Sequence, residues 1–200
     1  MNNFIGKEAI DFSANAVMPN NDILNFNFKS YINGFKCILF FYPLNFTFVC
    51  PSEIIAFSNK IAEFQKRNTK VVGVSVDSHF CHLAWKKTSR DQGGISDINF
   101  PLVSDLNKDI SKNYHVLINE EGVALRGTFL IDAQFIIRHL VVNDLPLGRN
   151  IDESLRMIDS LDYYTTHGEV CPAGWTEGKP AIKTTSEGIA KYLKENSDKI

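Results

Sequence analysis

Lys36-Cys37-Ile38-Leu39-Phe40-Phe41-Tyr42, bounded by Gly34 and Pro43, is a continuous apolar run that leads through residues 44–49 into Cys50-Pro51-Ser52-Glu53. A short run of this kind, closed by turn-forming residues, is the pattern of a strand buried on both faces. Pro43 has no N–H to give to a ladder and ends it. Beyond Cys50 the period changes. Ile54, Phe57, Ile61 and Phe64 recur three to four apart with Glu63, Lys66 and Arg67 elsewhere, which predicts an amphipathic helix from Pro51 to Arg67.

Working outward, Lys70 to Val76 is a second β-rich run, and Ser78 is placed to cap a helix reaching about Arg90 with Phe80, Leu83 and Ala84 along it. After the Gly93-Gly94 loop come a short extended piece, Phe100-Pro101-Leu102-Val103, and a helical stretch around Lys108 to Tyr114. Ala124 to Ile131 and Phe135 to Val142, joined through Asp132-Ala133-Gln134, read as an antiparallel hairpin. Asn150 and Glu153 form a capping box before Ile151, Leu155, Ile158 and Leu161, a final core helix. From His167 the period lapses among Gly168, Pro172, Gly174, Gly178 and Pro180, and only Gly188 to Glu195 suggests another helix. This order predicts an α/β chain with a thioredoxin-like fold, a central mixed β-sheet flanked by helices, over residues 1–166, and a C-terminal arm over residues 167–200.

Composition bounds the function. The 200 residues are 44% apolar and 22% charged, enough apolar mass for one core and too little chain for two full domains. A net charge of −2, from 21 basic and 23 acidic side chains, gives no polybasic field, so no nucleic-acid partner is expected. The longest apolar stretch, Cys37 to Leu44, is interrupted by Pro43 and falls far short of the roughly 20 residues that cross a bilayer, so no membrane association is expected. The stretch Met1-Asn2-Asn3-Phe4-Ile5-Gly6-Lys7-Glu8 has neither a secretory nor a transit-peptide character, and a cytoplasmic location is expected.

The cysteines Cys37, Cys50, Cys81 and Cys171 are separated by 13, 31 and 90 positions, which excludes a CxxC pair and zinc-ligand spacing. Cys50 stands apart because Pro51 is favoured at a first helical position, which places the sulfur at a helix N-terminus. Unpaired N–H groups and the positive end of the helix dipole stabilise an anion there, so the thiol pKa is expected to fall and Cys50 is a candidate nucleophile. The same position also suits a small buried residue at a strand-to-helix turn. Thr47 can donate and accept beside the sulfur or act as a plain cap. Pro43 can cover one side of a pocket or simply punctuate the strand end.

The segment Phe41-Tyr42-Pro43-Leu44-Asn45-Phe46-Thr47-Phe48-Val49-Cys50-Pro51-Ser52-Glu53 strongly resembles the peroxidatic-cysteine segment of the peroxiredoxins, with its PxxxTxxC core. Residues 74–85, residues 125–132 and His167-Gly168-Glu169-Val170-Cys171-Pro172-Ala173-Gly174-Trp175 resemble further segments of the typical two-cysteine subfamily, so the likeness runs along nearly the whole chain. The resemblance implies a thiol-dependent peroxidase that reduces hydrogen peroxide and organic hydroperoxides. In it Cys50 attacks a peroxide oxygen and becomes a sulfenic acid, Pro43, Thr47 and Arg126 complete the active-site set, and Glu53 and Arg149 support them. Charge pattern alone does not select Arg126 over Arg149; the resemblance does.

The resemblance further implies that Cys171 of the partner subunit resolves the sulfenic acid as an intersubunit disulfide. An obligate homodimer is then required, with a decamer of five dimers as the family's assembly. No metal, haem, flavin or other cofactor is implied, and electrons would come from thioredoxin or a flavoprotein disulfide reductase. A holdase chaperone and a thiol–disulfide oxidoreductase are alternatives on the same fold; the missing CxxC counts against the second. Cys81 resembles a position at the dimer–dimer contact, while Cys37 lies in the buried strand. His79, Cys81 and His82 invite a metal reading, but their helical spacing does not bring three ligands to one face.

Two departures stand out. Gly93-Gly94-Ile95-Ser96 and Tyr192-Leu193 replace the Gly-Gly-Leu-Gly loop and Tyr-Phe pair of peroxide-sensitive members, which implies intermediate sensitivity to overoxidation. Asn45 stands where the segment usually has Asp, and nothing in the sequence assigns that change a consequence.

Overall fold

The chain opens with a hairpin that the sequence pattern did not predict. In the computed structural model, which describes residues 4–199, β1 (Ser13–Val17) and β2 (Ile23–Asn27) pair antiparallel from Ser13↔Asn27 to Val17↔Ile23. Asn15, Asn25 and Asn27 interrupt the apolar alternation on these short strands, which is why periodicity passes over them. The Asn27 side chain then accepts from Ser30 N and caps α1 (Phe28–Ile32). Of the N-terminal stretch read for a targeting signal, residues 1–3 lie outside the described residues.

The apolar run forms β3 (Lys36–Phe41). The helix expected over 51–67 is two helices, α2 (Cys50–Asn59) and α3 (Ile61–Lys66), because Lys60 leaves helical geometry at φ −102°, ψ 9° and turns its N–H to Phe57 O and Ser58 O. Ile54, Phe57 and Phe64 remain buried across the break, so the apolar stripe survives it. Next come β4 (Thr69–Ser75), α4 (His79–Lys87), β5 (Leu102–Ser104) and α5 (Asp109–Asn113). Ser78 caps α4 by accepting from Cys81 N, and the helix ends at Lys87, short of the expected Arg90. Glycines 93 and 94 shape the loop between α4 and β5: Gly93 sits at φ 78°, and a Cβ on Gly94 would fall 2.0 Å from Thr88 O.

The expected hairpin is shifted. Val123–Ala124 is β7 and pairs with β6 (Leu117–Ile118) in a separate two-stranded sheet; β8 (Arg126–Ile131) and β9 (Ile137–Asn143) pair antiparallel in the main one. Phe135 lies in the turn at φ 67°, and the Asp132 carboxylate accepts from the N–H groups of Gln134 and Ile136 at 2.9 Å each.

The main sheet has the order β2-β1-β5-β4-β3-β8-β9. β3 runs parallel to β4, and β8 runs antiparallel to β3, so the sheet is mixed as expected and β3 lies within it, paired on both edges. Alternate residues of a strand face opposite sides, and both sides are packed. Cys37, Leu39 and Phe41 join Phe28, Val72, Val74, Phe129 and Ile131 in one core. On the other face Phe40 stacks on Phe57 at 4.4 Å and meets Phe100 edge-on at 5.6 Å.

Gly73, on this second face of β4, has no room for a side chain: a Cβ would lie 2.8 Å from both Leu102 Cδ2 and Phe40 Cζ. Gly73→Ala is therefore expected to destabilise the fold by about 1–3 kcal/mol through overpacking, read as a lower denaturant midpoint at unchanged slope. An unchanged midpoint contradicts this packing.

The chain divides into two compact units, Met1–Ile151 and Asp152–Ile200. The helix α6 (Ile151–His167) runs into the second unit, which ends with α7 (Ser186–Asn196) and a short 3₁₀ turn. Between the helices Val170 and Ile182 exchange both backbone hydrogen bonds at 2.9 Å. Trp175 is buried there, its Nε1 donating to Lys179 O at 2.9 Å. Among the described residues no helix is long and apolar enough to cross a membrane.

Candidate active site

The ladder of β3 is prolonged by Tyr42 N donating to Val74 O at 3.0 Å, and the strand gives way at the buried Pro43. A loop over 43–49 comes next, with Phe46 in the left-handed region at φ 53°, and α2 begins at Cys50 with Pro51 in its first turn. The sulfur therefore lies at the positive end of a helix, as expected. Val49 provides no side-chain cap, leaving the helix start open to an acceptor such as the sulfur.

Cys50 is fully buried, and Arg126 Nη1 donates to its Sγ at 3.4 Å. Arg126, the first residue of β8, is 3% exposed. Its Nε donates to Leu145 O at 2.6 Å and its Nη1 to Glu53 Oε2 at 2.7 Å, so the fork is fixed from two sides. Glu53 lies three residues after Cys50 on the buried face of α2. Its Oε1 accepts from Arg149 N and Nε at 2.9 Å each, and its Oε2 from Arg149 Nη2 at 2.8 Å. Arg149 Nη1 donates to Phe41 O at 2.8 Å and Gly127 O at 2.9 Å, tying the network to the ends of β3 and β8.

These contacts set the electrostatics. Burial pushes the Glu53 carboxyl up, but the hydrogen bonds and charge of Arg149, with that of Arg126, hold it below the usual carboxylate range. Glu53 is thus an anion that compensates one of two buried guanidinium charges. The two guanidiniums share that one carboxylate, which leaves the cluster net positive, and Arg126 turns part of that charge toward the Cys50 sulfur. Positive charge is thereby held away from solvent beside the Cys50 sulfur, where it stabilises an anion more than it would in water.

The structure brings Cys50, Arg126, Glu53 and Arg149 into one bonded network. Thr47 is half-buried, and the hydrogen bond its hydroxyl donates runs to Leu44 O at 2.9 Å. Cys171 belongs to the second unit, half-buried, with Sγ 3.6 Å from Ser160 O. Burial raises the Cys171 thiol pKa, opposed by that hydrogen bond and the charge of Arg156.

Asn45 is buried and tied to Tyr42, Asp77, Cys81 and His82. Sequence reasoning missed this; the only signal was its departure from the segment's usual Asp. His82 and Cys81 serve that network, and among the described residues no group of three or more His, Cys, Asp or Glu could hold a metal ion. Cys37 is buried within β3, and Trp85 and Trp175 are packing residues.

Comparison with known proteins agrees with this geometry. Residues 5–140 match the AhpC/TSA family, and residues 160–195 match the C-terminal domain of 1-Cys peroxiredoxin. Alkyl hydroperoxide reductase C of Buchnera aphidicola is 55% identical over 192 residues, 96% of each chain, and that of Helicobacter pylori is 51% identical over 98% of this chain and 99% of its own. The reduced crystal structure of Plasmodium vivax 2-Cys peroxiredoxin superposes with a TM-score of 0.93 at 47% identity, covering 96% of this chain and all of that one. The thioredoxin-like mixed sheet read from the element order is the one these relatives share. With a cysteine at a helix start under a locked arginine, and with likeness along its whole length, the chain belongs to the AhpC/TSA family of peroxiredoxins, the thiol-dependent peroxidases.

Proposed function

We propose that Cys50 is the peroxidatic residue, attacking as the thiolate, and that Arg126 stabilises the breaking peroxide bond. The observation that carries this is the 3.4 Å contact from Arg126 Nη1 to Cys50 Sγ, with the guanidinium locked on Glu53 at 2.7 Å. The sulfur pair attacks the terminal peroxide oxygen and an S–O bond forms. The O–O bond breaks, and its electron pair leaves with the second oxygen, which takes up a proton as water or an alcohol. Charge grows on that oxygen, and a fixed cation stabilises it more in the transition state than in the resting site. Thr47 orients the peroxide through its hydroxyl, Pro43 shields the pocket wall, and Glu53 and Arg149 hold Arg126 in place.

The Cys50 sulfenic acid is then resolved by Cys171 of a second copy: its thiolate attacks the Cys50 sulfur, hydroxide leaves as water, and an intersubunit disulfide forms. A thiol reductant returns two electrons; thioredoxin or a flavoprotein disulfide reductase fills that role in the cytoplasm. Residues 1–166 are the peroxidase domain and 167–200 the arm that delivers Cys171. Assembly of dimers into a decamer is supported by the aromatic surface of the 43–49 loop and α4, where Phe48 is 97% and Phe80 68% exposed.

Non-reducing electrophoresis after one equivalent of peroxide tests the scheme. The wild type is expected to give a covalent dimer, and Cys50→Ser and Cys171→Ser none. A covalent dimer in Cys171→Ser removes that residue from the resolving role.

A further inference from the structure

The 43–49 loop, which presents Thr47 and Cys50, is fastened to the sheet and to α4 through Asn45. Tyr42, just past β3, donates its hydroxyl to Asn45 Oδ1 at 2.9 Å, and Asn45 N donates to Asp77 Oδ2 at 2.9 Å. Asn45 Nδ2 lies 3.0 Å from His82 Nδ1 and 3.3 Å from Cys81 Sγ, both on α4. Across the imidazole, His82 Nε2 lies 3.1 Å from Val103 O on β5.

A carbonyl oxygen only accepts, so Nε2 carries the hydrogen, and Nδ1, which faces the amide nitrogen of Asn45, is the acceptor of a neutral ring. That acceptor needs a donor, and the carboxamide of Asn45 supplies one while its Oδ1 takes the Tyr42 proton. The flipped carboxamide would set oxygen against the Nδ1 lone pair, so the network fixes its orientation. The Tyr42 hydroxyl is farther from Nδ1, at 3.3 Å. The Asp77 carboxylate is occupied by Ser75 Oγ at 2.7 Å, by Asn45 N and by the Cys81 thiol at 3.5 Å.

We infer that Asn45 is a positioning residue for the peroxide reaction: its carboxamide joins the Cys50 loop to α4 and β5 through the ring of His82. The inference rests on the assignment of Cys50. Burial lowers the His82 pKa to about 4, against the charge of Asp77 and the Val103 carbonyl, which raise it; His79 and Lys86 on the same helix lower it further. A carboxylate at position 45 would reverse this. Facing the Nδ1 lone pair at 3.0 Å, it would draw a proton onto the ring and form an ion pair.

The sign of the resulting pH dependence is fixed. Below the raised His82 pKa the carboxylate–imidazolium pair holds the loop. Above it the ring has one hydrogen for two acceptors, Asp at 45 and Val103 O, and one contact is lost. A single lost buried hydrogen bond corresponds to roughly tenfold.

The test uses the full chain in wild-type and Asn45→Asp form, with histidine-ring NMR titration and peroxide-reduction rates over about pH 5–8, the range in which a histidine ordinarily titrates. The His82 signal is identified by its absence in His82→Asn. Wild-type His82 is expected to stay neutral over this range and that of Asn45→Asp to titrate within it. The ratio of the variant's rate to the wild type's is expected to fall about tenfold as pH rises through that titration. Taking the ratio removes the pH dependence that the two proteins share. In Asn45→Asp/His82→Asn the ratio is expected to be flat.

Asn45→Ala, which removes the donor and acceptor without adding a charge, is expected to lower the rate by a constant factor at every pH, and it keeps the test decisive should Asn45→Asp fail to fold. A His82 in Asn45→Asp that titrates as in the wild type, a level rate ratio for that variant, or an Asn45→Ala enzyme as fast as wild type overturns the inference. Cys50→Ser in the same assay separates the two readings: retained turnover there refutes the site, whereas the NMR titration reports on Asn45 alone.

Discussion

Cys50→Ser is expected to lower the rate constant for peroxide reduction by on the order of 10⁴-fold or more, the scale on which loss of a nucleophile removes an enzyme's chemistry. A serine hydroxyl stays protonated at neutral pH and is a poor nucleophile toward an O–O bond, so the same pocket with oxygen in place of sulfur is inert. None of the other cysteines can take over. Burial pushes the Cys37 thiol far above the ordinary range, where the charge of Lys70 lowers it only in part. Burial also raises the Cys81 and Cys171 thiols. Thiolate is the reactive form, so each of these shifts lowers the standing thiolate fraction of its cysteine. Stopped-flow peroxide consumption at pH 7 checks this, and residual activity near the wild-type value would move the chemistry to another sulfur.

Arg126→Met is expected to reduce the same rate constant by about 10²–10³-fold, as removal of one preorganised donor from a developing oxyanion does. The variant tests chemistry more than folding, because Glu53 keeps its hydrogen bonds from Arg149 N, Nε and Nη2. The carboxylate is not left buried alone, the circumstance that makes breaking a buried ion pair costly. Arg126→Lys is expected to recover only part of the loss. An ammonium restores the charge but cannot serve Leu145 O, Glu53 and Cys50 Sγ together as the guanidinium does. A methionine variant with the wild-type rate would mean that the 3.4 Å contact has no part in bond cleavage.

The elements that could be read directly are those whose pattern reflects burial. β3 is legible because both faces of the sheet are packed, which forces every side chain of 37–41 to be apolar. The start of α2 is legible because Pro51 has a local preference for a first turn. The N-terminal hairpin was not legible: its place in the sheet is set by β1 pairing with β5, Ala16 with Val103 and Val17 with Leu102, and nothing near residue 16 encodes that. The break at Lys60 escaped for a different reason, since the apolar spacing continues across it.

The site divides in the same way. The position of Cys50 can be read from its neighbours in sequence, but Glu53 meets Arg126 across 73 residues and Arg149 across 96. Only the family resemblance selected those arginines. Asn45 is the extreme case, its partners Asp77 and His82 lying 32 and 37 residues away, and the resemblance marked it only as an exception.

The most direct test locates the oxidised atom. Cys171→Ser treated with one equivalent of hydrogen peroxide in the presence of a carbon nucleophile selective for sulfenic acids, then digested and analysed by mass spectrometry, is expected to carry the adduct on Cys50. An adduct on Cys81 or Cys37 in its place, or peroxide consumption with Cys50 unmodified, would contradict the account.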